Sequence, residues 1–423
     1  MLRLILIQNC WRLDQNALFD LPDDHLTNVV VGNIDSRCLK RIDNYTQRSP
    51  AYLQFSRKSA FEFKKKLLDI FNISCMIFNE DPLALLQDLI INNDIRELRV
   101  EEPVAYDEHH DIMRIKELFP NLKISSIWSN SLFYPAQLPD DCNMYNGTFT
   151  KFRKYIEENS VKIINENTDF EKLKNHNIIS NFLDIELTTN LVEGDLLFEP
   201  GENASLSHLH NYTFITNTID TYKQTRNQLL GVNFSSRFSF GLAHGVISPK
   251  KIWNTVEDYE RQVIKNDSTY WVKFELLWRE FFRHVMKYNK KAFFLKRGIK
   301  SISNDCSNDL SSLENWKTGY TDSNFVNANI IELNKTGYMS NRGRQIVASY
   351  LVNDLNLNWI LGAQYFESKL LDYDVSSNWC NWAYIAGVGN DSRKRYFNIP
   401  KQQKLYDPND KYIEYWLSKR INS

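Results

Sequence analysis

The chain has 423 residues, 43% of them hydrophobic, with 51 basic and 52 acidic side chains and a net charge of −1. That length suits two or three domains, and the balanced charge excludes a global basic field, so any nucleic-acid site has to be a local patch. The six cysteines (Cys10, Cys38, Cys75, Cys142, Cys306 and Cys380) form no CxxC pair and no Cys/His cluster; this argues against a disulfide framework or a bound metal and fits a reducing cytoplasm.

Taken in chain order, the opening Met1-Leu-Arg-Leu-Ile-Leu-Ile is an apolar run broken at once by Gln8 and Asn9. It reads as a buried strand rather than a signal peptide, and no later run approaches membrane-spanning length. Strand patterns recur at Leu4 to Ile7, Val29 to Val31, Cys75 to Phe78, Glu97 to Val100 and Leu122 to Ser125. Helical patterns at Ser59 to Phe71 and Leu83 to Asn92 lie between them. Such alternation predicts an N-terminal parallel-sheet α/β domain, Rossmann-like in class, over residues 1–125. No GxGxxG follows the first strand, so a dinucleotide site there has no support. His109-His110 and His208/His210 read as loop histidines, because no Cys or carboxylate spacing completes a metal site.

Residues 126–205 are polar and weakly periodic, punctuated by Pro135, Pro139, Pro200 and Gly201. They read as a long inter-domain connector carrying one or two helices. The remainder, 206–423, reads as an all-helical domain. Ser248-Pro249 places a capping hydroxyl and a proline at a helix start. Trp271, Phe274, Trp278, Phe281, Phe282 and Val285 recur at three- and four-residue intervals, giving one apolar helix face.

Within that helical half, Ser235-Ser236-Arg237-Phe238-Ser239 precedes an apolar run. Hydroxyls, backbone N–H groups and one arginine suit a pyrophosphate, although a capped helix with a surface arginine is the plainer reading. Asn341, Arg342 and Arg344, with Asp372, Asp374 and Asn378, sit among aromatics. Buried charges need partners, so they suggest an internal polar cluster, a structural salt bridge being the plainer alternative. Trp359 and Trp382 read by default as core residues.

Several long segments carry a resemblance to the photolyase/cryptochrome family. They are Tyr222-Lys-Gln-Thr-Arg226-Asn-Gln-Leu-Leu-Gly231, Asn266 to Phe282, Met339-Ser-Asn-Arg-Gly-Arg-Gln345 and Asp372 to Asp391. The closing Arg395-Tyr-Phe-Asn-Ile-Pro-Lys-Gln402 and Tyr406-Asp-Pro408 look like the DASH-type cryptochromes. The resemblance covers the second half of the chain strongly and the first half faintly.

It implies an α/β antenna domain, a connector, and a helical domain holding FAD. By resemblance Tyr222, Ser235, Ser236, Arg237, Phe238, Ser239, Arg279, Asn341, Arg344, Asp372, Asp374 and Asn378 contact the cofactor. Arg344 pairs with Asp372 beside the isoalloxazine, and Asn378 approaches N5. Trp382 and Trp359 form the inner electron relay. Glu275, Trp278, Asn341, Asn378 and Tyr384 carry the chemistry at the substrate cavity. Arg342, Arg393, Arg395 and Lys401, with Lys394 and Lys404, hold DNA phosphates. A folate antenna takes its carboxylate partner from Glu101 or Glu102, the two left open. The implied activity is light-driven repair of cyclobutane pyrimidine dimers in single-stranded or looped DNA by a cytoplasmic monomer. A photoreceptor that binds nucleic acid or protein without repair is the rival. The chain stops soon after its last family-like segment, which favours the enzyme.

Four departures from the family pattern stand out. Thr321-Asp-Ser-Asn324-Phe-Val-Asn327-Ala lacks the usual Gly and Pro, so the turn into that helix should change. The outer relay tryptophan position falls on Cys306, so photoreduction by that route should be slow. His244 and Cys380 are additions beside the phosphate loop and Asn378. The loop from Cys10 to Leu18 only loosely echoes the family's first loop, leaving the antenna site weakly marked.

Overall fold

Five parallel strands build the first layer: β1 Leu2–Ile7, β2 Thr27–Asn33, β3 Met76–Phe78, β4 Ile95–Glu101 and β5 Lys123–Ile127, in the spatial order β3-β2-β1-β4-β5. The computed structural model describes every residue except 43–44, 140–141, 186–196, 232–233, 302–305, 308, 392–394 and 421–423. β1 is wholly buried, with Leu4 opposite Val29 on one side and Leu98 on the other. A strand covered on both faces reads as a near-continuous apolar run, which is why its sequence does not alternate; the one charged position, Arg3, is buried with its guanidinium bonded to Asn28 and Glu97. Leu4, Leu6, Val31, Leu98 and Val100 share a core with Leu85, Leu89 and Ile115 from the covering helices.

These helices are α1 Pro50–Phe71, α2 Pro82–Asn92 and α3 Tyr106–Leu118. α1 begins nine residues before the expected Ser59, because the Ser49 side chain accepts from Tyr52 N and Pro50 takes the first turn. α3 has no counterpart in the sequence reading: it is polar along most of its length and buries only Asp111 and Ile115. It carries His109 and His110, and His208 and His210 end the helix Glu202–His210, so none of these is a loop residue.

The chain separates into two discontinuous units. The first comprises 1–138, 161–211 and 238–255, and the second 139–160, 212–237 and 256–423. This differs from the expected cuts at 125 and 205, since packing brings together segments that local composition cannot. In the first unit the expected connector is pinned from inside: the buried Lys250 ammonium pairs with Glu166, which also accepts from the Tyr134 hydroxyl. His244 lies in this unit, its ring near those of Tyr52 and Phe55 with Ser56 Oγ 2.9 Å from Nδ1. It is a satisfied core histidine.

Apart from an isolated bridge between Ser307 and Leu357, the second unit is helical among the described residues. Its principal helices are α4 Asp267–Asn289, α5 Leu310–Thr318, α6 Asn324–Thr336, α7 Asn341–Ser349, α8 Trp359–Lys369, α9 Val375–Ile385, α10 Ile399–Tyr406 and α11 Lys411–Ser418. The short helix Phe149–Glu158 also belongs here. Several starts have a polar reason: Asn266 and Thr269 close a capping box on α4, Ser340 caps α7, and Asp374 caps α9. The altered turn at Thr321 to Asn327 is rebuilt with side chains. Ser323 caps α6, and Asn327 bonds both the N–H and the carbonyl of Thr321.

Candidate functional site

α7, α8 and α9 bring the second unit's polar residues together. Arg344, from the first turn of α7, donates through Nη2 to both oxygens of Asp372 at 2.8 Å and through Nε to Met339 O at 2.9 Å. The Asp372 side chain is 1% exposed, so the pair is a fixed internal charge couple. Tyr338 lies between two cations, its ring 5.6 Å from the Arg344 guanidinium and 5.1 Å from that of Arg237. Arg237 holds a positive φ of 51° and donates to Gly231 O. Burial pushes the Tyr338 phenol up to about 12, despite the two cations.

Asn378 is buried on α9, and its Nδ2 donates to Ala363 O at 3.0 Å. The partner is a carbonyl and can only accept, so the amide orientation is fixed. Oδ1 therefore faces away as an acceptor with no partner among the described residues. Asp374 takes the cap of α9, accepting from Ser377 N at 2.7 Å. Burial raises its carboxyl, but the charges of Arg279 and Arg283 and the hydrogen bonds it accepts outweigh burial and hold it below its ordinary value.

Beside these lies an aromatic wall. Trp278 on α4 stacks on Phe149 at 3.8 Å and meets Tyr384 of α9 edge-to-face at 5.9 Å. Arg395 covers the Tyr384 ring, bonds its hydroxyl and pairs with Asp391. Glu275 is not free to meet a ligand alone, for it forms an ion pair with Arg226. Its carboxyl is raised, by burial first, with Arg226 opposing. Tyr222 is buried, and its phenol is raised by burial and by the Glu275 charge while Ser236 hydrogen-bonds to it.

Other expected residues are more dispersed. Asn341 is exposed at the start of α7, and Arg342 lies over Tyr406 at 4.8 Å and donates to Asn227. Lys401 and Lys404 are exposed on α10, while Arg393 and Lys394 lie outside the described residues. Ser235 belongs to the second unit with Ser236 and Arg237, whereas Phe238 and Ser239 fall in the first. Of the antenna candidates, the Glu101 carboxylate accepts from Ser129 N and Asn130 N, and Glu102 N donates to Ile127 O.

The two tryptophans expected in the relay are both buried. Trp382 meets Phe366 at 5.1 Å and Trp316 at 6.2 Å, each edge-to-face. Its ring lies so close to Gly362 of α8 that an added Cβ would come within 2.2 Å of it. Trp359 donates to Lys296 O at 3.0 Å and packs on Trp379. Cys306 is half-buried, next to the bridge that joins Ser307 to Leu357. Cys380 is buried with its sulfur 3.9 Å from Phe282 O, and burial raises its thiol.

Against known proteins, residues 271–421 match the FAD binding domain of DNA photolyase. A chloroplastic/mitochondrial cryptochrome DASH of Arabidopsis thaliana is 37% identical over 418 residues, covering 96% of this chain and 73% of that protein. The chain belongs to the photolyase/cryptochrome family. Within this family it resembles the DASH-type cryptochromes. A rice cryptochrome DASH (Oryza sativa subsp. japonica) is 41% identical over 70% of the chain. A solved Synechocystis cryptochrome superposes with a TM-score of 0.89 at 32% identity, covering 100% of this chain and 89% of that one. A class III photolyase from Agrobacterium tumefaciens, 21% identical with a TM-score of 0.80 over 99% of this chain and 86% of that one, shares the fold. The chain spans about half the length of the rice and tomato relatives, 53% and 52%.

The family cofactor is FAD, and the residues present fit it. An Arg–Asp couple with a buried carboxylate, an amide oxygen left without a partner among the described residues and a carboxylate held below its ordinary range are polar groups that an apolar helical core does not otherwise need. Sequence reasoning missed Arg283, which faces Asp374, Phe149 under Trp278, and Glu332. Glu332 is buried, accepts from the Tyr412 hydroxyl at 2.6 Å, and is pushed up to about 7 by burial. Phe149 stood in the expected connector, and Glu332 looks like any polar position of an amphipathic helix. No membrane-length apolar helix occurs among the described residues.

Proposed function

We propose that this chain carries out light-driven, FAD-dependent repair of cyclobutane pyrimidine dimers, with a preference for single-stranded DNA. The observation that supports this most is the meeting of Trp278 and Tyr384 on one wall of the unit that holds Arg344, Asp372 and Asn378. When bound, FAD supplies the light-absorbing electron donor, and the splitting returns the electron, so the reaction has no net oxidation.

The protein's part is binding and orientation. Arg344 offers a positive charge beside the isoalloxazine, held in place by Asp372. Asn378 offers Oδ1 as an acceptor toward N5, its amide already fixed by Ala363 O. Ser235, Ser236 and Arg237 bind the phosphates, and Asp374 faces the ribose. Tyr222, Arg279 and Asn341 complete the cofactor contacts. Trp278 and Tyr384 stack on an extruded dimer. Glu275, raised by burial, and Asn341 hydrogen-bond the base edges. Tyr384 presents less stacking surface than a tryptophan, which suits a strand whose bases are already unstacked. Trp382 and Trp359 pass electrons toward the cofactor from an external thiol. Arg342, Arg393, Arg395 and Lys401 take flanking phosphates. For a folate antenna the carboxylate partner is Glu101 or Glu102, and the Glu101 carboxylate already accepts from Ser129 N and Asn130 N.

The Glu275–Arg226 ion pair favours the second reading, a photoreceptor that binds without repair, since it occupies the edge a base would use. Blue light applied to the anaerobically reduced protein with dimer-containing oligothymidine separates the two. Recovery of intact thymine is expected. None, with fully reduced flavin, leaves the photoreceptor.

A further inference from the structure

The end of α4 and the segment after it carry a charge pattern that the repair site does not use. Between residues 287 and 300 the chain reads Lys-Tyr-Asn-Lys-Lys-Ala-Phe-Phe-Leu-Lys-Arg-Gly-Ile-Lys. Six of these fourteen residues are basic and none is acidic, in a protein whose net charge is −1. Lys290, Lys291, Lys296, Arg297 and Lys300 are exposed. Among the described residues Lys291, Lys296, Arg297 and Lys300 have no carboxylate partner. Burial, then the charge of Lys290, lowers the ammonium of Lys287.

Helix electrostatics account for only part of this. Lys287, Lys290 and Lys291 sit at the carboxyl end of α4, where cations complement the macrodipole. Lys296, Arg297 and Lys300 lie beyond that end. The segment is also anchored beside the proposed site. Ile299 N and Lys300 N donate to Val388 O, and Gly298 adopts φ +55° against Val388, so that a Cβ there would come within 2.4 Å of the carbonyl. Val388 follows α9, the helix that carries Asn378 and Tyr384. The basic strip therefore abuts the turn that follows α9. Tyr288, 46% exposed, sits within it, its ring 5.9 Å from that of Tyr145.

We propose that Lys290, Lys291, Lys296, Arg297 and Lys300 form a phosphate track for the backbone of a single strand running out of the dimer site. This rests on the nucleic-acid reading above and extends it to strand flanking the lesion. Such a track adds affinity without reading sequence, and it engages only strands long enough to leave the cavity.

The test uses the full-length, flavin-loaded protein and undamaged oligothymidine, with binding followed by fluorescence anisotropy across a salt series. The variant Lys291→Gln, Lys296→Gln, Arg297→Gln, Lys300→Gln is expected to flatten the slope of log affinity against log salt by roughly 2–3, at about 0.7 per lost phosphate contact. A pentanucleotide should lose far less than a twenty-mer. Restoring charge with Lys291→Arg, Lys296→Arg and Lys300→Arg, Arg297 left intact, should restore the slope, which a folding defect would not mimic. An unchanged slope overturns the proposal, as does wild-type protein that binds the oligonucleotide without salt dependence. If the variant instead loses only its binding to phosphatidylglycerol vesicles, the strip is a lipid surface and the nucleic-acid assignment fails. Failure of the repair reading appears separately, as absent thymine recovery under light.

Discussion

At the carboxyl end of the sheet, Arg12 is fully buried and its terminal nitrogens donate to Asn130 Oδ1, Ser129 O and Oγ, and Gly245 O at 2.6–3.0 Å. In the helical unit, Arg344 is equally committed to Asp372, yet its side chain stays 26% exposed and Asn378 nearby keeps an acceptor to offer. The first centre lies near β1 and β4, where the strand order reverses and doubly wound sheets ordinarily take ligands. There the chain has filled the crevice with its own side chain. Polar groups that satisfy one another hold a fold together, whereas polar groups left with an open valence are where a ligand belongs.

Exchanging each arginine for a shape-matched apolar residue puts that contrast to its strongest test. Arg344→Met strands the Asp372 charge and should cost about 3 kcal/mol, with a fall in the flavin-to-protein absorbance ratio. Arg12→Met should cost a similar amount in urea denaturation, through acceptors left unpaired, and leave the flavin ratio of folded protein unchanged. If both variants lose flavin, the two centres are not distinct in role.

Glu332 sharpens the comparison through pH. Its folded value of about 7 lies above the ordinary 4.5, so the folded state binds a proton that the unfolded state releases between those values. Its contribution is complete below pH 4.5 and is lost as pH rises through about 7, a drop of roughly 3 kcal/mol at most. Denaturation midpoints of Glu332→Gln should fall less over that window than those of the parent. Parallel profiles would place the titration elsewhere.

The smallest expected effect is at the relay. Cys306→Trp should accelerate photoreduction by external thiol. Equal rates would mean that another donor already serves Trp359 or Trp382, for which Trp316 is placed at 6.2 Å from Trp382.

Much of the fold was legible because its signals are local. All five strands fall within two residues of the runs expected for them, most plainly β1, whose six positions are all buried, and least plainly β5, which has no fully buried position. α3 escaped because a helix that buries only two side chains has no apolar stripe to read. The unit boundaries escaped because Lys250 and Glu166, 84 positions apart, meet only after folding. The site was legible by resemblance rather than by residue chemistry. Nothing in a spacing of 28 residues says that Arg344 and Asp372 pair, and Phe149 under Trp278 has no signature in an ordinary polar segment.

Gly362 supplies a genetic consequence. It sits within α8 at an ordinary helical φ, where glycine is worse than alanine by roughly 0.5–1 kcal/mol. The position is therefore not kept for its backbone freedom. What it provides is room, because the Trp382 ring fills the space a methyl would need. A screen that saturates this codon should return glycine alone, and suppressors of Gly362→Ala should arise at Trp382 as smaller aromatics. Those revertants would regain solubility while remaining slow to photoreduce, separating the packing role of that ring from its redox role in a single selection.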